Sequence, residues 1–145
     1  MSKGLRQQTG YAFFVTIFRV MFGAIMLAAG TEHLLGGEFL FKIIVSSSNS
    51  AIGNWVAANV ALMFPVIVAT MWLTGLSLIF GFLARVGSLL LALFSVFFIL
   101  GIYGAWIGDV AMLGVAIGLF IIGPGRYYGL DSHFLDEAPV LRFFA

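Results

Sequence analysis

The chain has 145 residues and a mean hydropathy of +1.13, with 62% hydrophobic and only 9% charged residues. Soluble domains carry about 25% charged residues, so this composition excludes an ordinary water-soluble domain and indicates an integral membrane protein. A net charge of +1 offers nothing to nucleic acid, and the lack of cysteine removes disulfides, thiol chemistry and cysteine-ligated metal centres.

A spanning helix takes about 20 mostly apolar residues. Lys3 and Arg6 precede the first such run, which covers roughly residues 11 to 34. It is longer than the apolar core of a signal peptide and contains Arg19, so it reads as a retained helix. About 25 residues that do not span follow. FLFKIIV (39 to 45) is too short to cross and is expected in the interface, and the Ser and Asn cluster at 46 to 50 reads as a loop. The second run covers roughly 60 to 82 with Pro65 in its first turns, and the third roughly 86 to 104. The fourth covers roughly 110 to 127 and stops at Gly123, Pro124 and Gly125. Tyr11, Tyr103, Trp106, Tyr127 and Tyr128 sit near run ends, as aromatic belts do. The segment after Ser132 mixes apolar and charged residues and reads as a short surface-lying tail. The expected fold is all-α: a single domain over residues 1–145, built as a four-helix transmembrane bundle.

Lysine and arginine placement sets orientation. With four spans, Lys3, Arg6, Arg85, Arg126 and Arg142 share one side, against Lys42 on the other. Both termini are therefore expected in the cytoplasm, in the cytoplasmic membrane of a prokaryote.

Arg19 lies eight residues into the first run, about 12 Å along a helix. An arginine at the centre of a span costs roughly 2.5–3.5 kcal/mol on insertion scales. It must snorkel to a headgroup, pair with an acid, or face a polar site holding an anion or a carbonyl. Arg19, Gly23, Gly30 and His33 share one helix face, as do Thr70, Thr74, Ser77 and Gly81. The small residues suit close packing of helices, with Gly23 and Gly30 on one helix and the GxxxG pair Gly114 and Gly118 on another. Arg19, Thr74 and Ser77 are the candidate ligand-binding residues. His33 lies at the outer end of the first helix and His133 on the inner side, so the two are mismatched in depth for a bis-histidine haem. Glu32 with His33 reads as a solvated helix end, and no metal motif or nucleophile triad occurs. In GPGRYYGLDSHF (123 to 134), Gly123, Pro124 and Gly125 break the helix, and Gly129 permits a second turn. That turn would return Asp131 toward Arg85 or Arg19, so that Arg85, Gly123, Pro124, Gly125, Arg126 and Asp131 form a clasp.

Three segments, FRVMFGAIMLAAGTEHL (18 to 34), GLSLIFGFLAR (75 to 85) and GPGRYYGLD (123 to 131), occur in this order. Together they resemble the DoxX family, which includes the DoxD-like small subunit of thiosulfate:quinone oxidoreductase. Many members carry a lysine where this chain has His33, and a glutamate where it has Trp72. The resemblance implies a four-helix membrane protein working beside a redox partner. It implies no cofactor held by this chain alone, with quinone or lipid as candidate ligands at the bundle surface. The 16 Phe, 3 Trp and 4 Tyr must largely face lipid, pigment or other membrane subunits. The functional expectation is a subunit that assembles or supports a membrane redox complex. The alternatives are a DoxD-like catalytic subunit and an oligomeric channel or transporter for small solutes.

Overall fold

The computed structural model describes residues 3–48, 50–102 and 107–122, and over these residues the chain is all-helical. The helices are α1 (Lys3–Ser47), α2 (Ala51–Ala58), α3 (Val60–Phe80), α4 (Ala84–Phe97) and α5 (Ile107–Ile122). A π-helical turn, Phe98–Ile102, continues α4. Three helices are long and apolar enough to cross a membrane: Gly10–Ser47 of α1, α3, and α4 with its π-turn as far as Gly101. At 16 residues, α5 is shorter, about 24 Å over its described part.

The first helix differs from the sequence expectation. It does not end near residue 34 but runs on to Ser47, broken at Gly37 (φ 74°, ψ 171°). Only glycine adopts that backbone region readily, so the chain turns there without leaving the helical state on either side. FLFKIIV is helical beyond the break, with Phe41 and Val45 buried in the core. The serine cluster begins as helix because Ser46, Ser47 and Ser48 donate back to the carbonyls of Ile43, Ile44 and Val45 at 3.0, 2.7 and 2.8 Å. These bonds satisfy carbonyls that a helix end would leave open.

A short helix then returns the chain to the bundle. Ser50 caps α2 by accepting from the Gly53 N–H at 2.8 Å, and its hydroxyl donates to the Gly101 carbonyl. Asn59 closes α2 through bonds to Trp55 and accepts from Leu62 and Met63 at the start of α3. Phe41 meets Phe64 of α3, with ring centroids 5.5 Å apart. The segment from Glu38 to Ala58 is thus packed onto the end of the bundle where α3 begins and α4 finishes.

Within the bundle α1 packs on α3, α3 on α4 and α4 on α5. Met26, Ile67, Met71, Leu78, Leu91 and Ala116 form its centre, joined by Phe41, Val45 and Val56 from the returning segment.

Candidate functional site

The α1/α3 seam is set by glycine. A Cβ on Gly23 would lie 2.8 Å from the Gly75 carbonyl oxygen, and one on Gly75 would lie 2.8 Å from the Gly23 carbonyl oxygen. Each backbone therefore occupies the space a side chain on the other would need. Further along, a Cβ on Gly30 would stand 2.5 Å from the indole of Trp72. Trp72 thus fills the space beside Gly30.

Arg19 lies one turn before Gly23 on this face and is 1% exposed. It is enclosed by protein and does not snorkel along the outside of the bundle. Thr74, beside Gly75, is fully buried, and its Oγ1 has no hydrogen-bond partner among the described residues. Leaving a buried hydroxyl unsatisfied costs about 1–3 kcal/mol. Ser77 is used differently. Its hydroxyl donates to the carbonyls of Phe82 (2.7 Å) and Leu83 (3.2 Å), holding the turn between α3 and α4. In that turn Gly81 (φ 65°) and Leu83 (φ 50°) are both left-handed, and the Phe82 N–H donates to the Ser77 carbonyl. A Cβ on Gly87 would come within 2.6 Å of the Ser77 hydroxyl. The structure thus places Ser77 in a turn-forming role and separates it from Arg19 and Thr74 in what each side chain does.

Between α3 and α4 the packing is open. A cavity of about 430 Å³ lies among Leu73, Leu76, Phe80, Phe82, Val86 and Leu90. A second, of about 270 Å³, lies among Met63, Ile67, Thr70, Leu90, Leu93 and Phe97. Leu90 borders both, so they form successive parts of one apolar groove. Its hydroxyls, Thr70 and Ser77, are already bonded to backbone carbonyls.

On α5 the GxxxG pair makes no close approach, like that of Gly23 and Gly75, to any described residue. A Cβ on Gly114 or Gly118 would meet no described atom within 4 Å. Gly114 is exposed, whereas Gly118 is half-buried and borders a cavity of about 310 Å³ with Phe14, Val15 and Phe18 of α1.

The structure assembles a site that the sequence reading did not. A chamber of about 200 Å³ is lined from α1 by Met26, Ala29 and His33, from α3 by Met71, and from α4 and its π-turn by Phe94, Ser95 and Phe98. Asp109 and Met112 complete it from α5. His33 is half-buried, edge-on to Phe41 at 5.5 Å, and not the solvated helix end expected. It also borders a second cavity, of about 340 Å³, with Glu32, Gly36, Gly37, Leu40 and Phe41. Met26, Ala29 and His33 recur at helical spacing, a signal that could have marked one wall. Nothing in the sequence tied that wall to Asp109 or Met71. Among the described residues no three His, Asp or Glu side chains group together.

Arg85 is half-buried in the first turn of α4. Its expected clasp partners, Gly123, Pro124, Gly125, Arg126 and Asp131, lie outside the described residues, as does His133. No protein-family model, curated protein or solved structure matches this chain.

Proposed function

We propose that the chain is a small subunit of a larger membrane-bound redox complex, which it assembles and stabilises without a redox cofactor of its own. In this reading it spans the cytoplasmic membrane of a prokaryote four times, with both termini inside. The observation that carries it is the division between inward and outward surfaces. The polar groups in the middle of the helices are turned inward or bonded to backbone: Arg19, Thr74, Ser88 and Ser95 are buried, and Thr70 and Ser77 bond to carbonyls. The outward surface is apolar, with Phe13, Phe14, Leu73, Leu93 and Ile121 all exposed. Among the described residues, Gly114 and Gly118 leave room for a neighbouring helix beside α5. Glycine ridges let two helices approach closely where lipid gives no hydrophobic drive to associate.

Purification in mild detergent tests this reading. We expect other membrane polypeptides to co-purify and Gly114→Leu to release them. The stability of the chain itself should move by less than about 0.5 kcal/mol, since a side chain at Gly114 would meet no described atom within 4 Å of its Cβ. A free monomer in mild detergent would count heavily against the proposal.

The α3/α4 groove favours a second reading, a DoxD-like subunit acting in quinone reduction. A long apolar groove without free polar groups suits an isoprenoid tail. A purified complex lacking quinone-dependent activity, and unchanged by Arg19→Leu, would remove it.

A further inference from the structure

The chamber bounded by His33 and Asp109 has an unusual lining. The described residues include five methionines: Met21, Met26, Met63, Met71 and Met112. Three of these five line this one chamber of ten residues, together with the only histidine among the described residues. They come from three different helices, so no single periodic stripe accounts for them. Met26 and Met71 are 2% and 3% exposed. Methionine does fill irregular core gaps, but filler alone does not call for an imidazole and a carboxylate in the same wall.

We propose that this chamber binds a soft monovalent cation of the Cu(I) type, through the thioethers of Met26, Met71 and Met112 and the imidazole of His33. Thioethers select Cu(I), and imidazole suits copper equally. The donor set discriminates against other ions. Calcium takes six to eight oxygens, and zinc takes thiolate, imidazole or carboxylate ligands. This wall offers one carboxylate and one imidazole to either. Charge is the second argument. A cation taken out of bulk water into a mostly apolar wall is costly unless a counter-charge lies close. Asp109 supplies one negative charge, enough to neutralise one monovalent ion.

Access is the third argument. His33 borders both the methionine chamber and the cavity beside the Gly37 break, which Glu32 also borders. An ion attracted by Glu32 would meet His33 first and the thioethers behind it. The chamber, about 200 Å³, is larger than an ion, and the three rotatable bonds of each methionine let the sulfurs close on it. This inference rests on the chamber alone and does not depend on the redox-complex reading.

The experiment uses the full chain in detergent micelles. It is titrated with Cu(I) held by a chromophoric chelator and, separately, with Ag(I) as a redox-inert probe. We expect one equivalent of each to bind, with sulfur scatterers at the copper absorption edge. Met71→Leu and Met112→Leu should each weaken binding roughly ten-fold or more, since even loss of a group that only orients a ligand costs about ten-fold or more in metal affinity, and His33→Gln should do the same. Met21→Leu and Met63→Leu, outside the chamber, should leave binding unchanged. Leucine conserves methionine volume closely enough that the fold should be retained, and the helical circular dichroism of each variant checks this. Failure of the chain to take metal from the chelator would overturn the proposal. So would undiminished binding by a folded variant carrying Met26→Leu, Met71→Leu and Met112→Leu together.

Discussion

Helix α3 is packed in two contrasting ways on its two sides. Toward α1 its backbone touches another backbone, with Gly75 and Gly23 each occupying the space of the other's missing side chain. Toward α4 it leaves an apolar groove bordered by Leu73, Leu76 and Leu90. Both faces are apolar, and both lie on the same helix. The difference shows what holds helices together when the surroundings are themselves apolar. Burying leucine gains little if lipid can solvate it equally well, so close contact depends on residues small enough to permit it. The α1/α3 seam has those residues. The α3/α4 pair is joined at its turn, where Ser77, Gly81 and Gly87 meet, and through the buried Leu78 and Leu91, with the groove lying beside that contact.

Substitutions on the two sides of α3 should therefore differ sharply. Gly23→Leu should have the largest effect. Its side chain would have to displace the Gly75 carbonyl and Ile79. Overpacking of this kind costs about 1–3 kcal/mol and more where backbone must move. Unfolding in mixed detergent micelles, followed by circular dichroism, should show a loss at the upper end of that range or no folded protein. A variant of normal stability would mean that the seam is not tight.

Thr74→Val should come next and with the opposite sign. Thr74 is buried and its hydroxyl has no partner among the described residues, and valine replaces that hydroxyl with a methyl of similar size. A gain of about 1 kcal/mol is expected in the same assay. Loss of stability instead would show that the hydroxyl has a partner in the assembled protein. The smallest effect belongs to the groove. Leu73→Ala removes a side chain that is 64% exposed and should change stability by less than about 0.5 kcal/mol. A loss comparable to a core truncation would show that the groove is closed in the folded protein.

The helices were legible to different degrees. The second apolar run, roughly 60 to 82, corresponds to α3 at Val60–Phe80, and the third, roughly 86 to 104, to α4 with its π-turn. Turn-formers bound both runs, so hydropathy and backbone stop together. The first run misled because hydropathy falls after Leu35 whereas backbone hydrogen bonding does not. Gly37 turns the chain while helix continues on both sides, and the serine hydroxyls extend the second part by bonding back to carbonyls. Polarity marked the end of the apolar stretch, which is not the end of the helix.

The site residues divide along the same line. The placement of Arg19, Gly23 and Gly30 on one face of α1 follows from spacing alone, because 3.6 residues per turn fixes it. Which helix that face meets does not follow. Gly75 answers Gly23, and Trp72 answers Gly30, only because α3 runs antiparallel beside α1 at that register. Ser77 illustrates the opposite failure. On a helical wheel it joins Thr74 in a polar stripe, yet its hydroxyl is taken up by a turn formed several residues later.

The sequence by itself determined the medium and the helical class of the chain. A chain with 9% charged residues and apolar runs of spanning length must satisfy its backbone internally, and helices do this within each run. The tertiary structure alone decided which polar and sulfur-bearing side chains share a space. His33, Met71, Ser95 and Asp109 belong to four different helices and come to one chamber. Periodicity relates residues within a helix, whereas the register between helices is set by contacts distant in sequence, such as the Gly23–Gly75 approach.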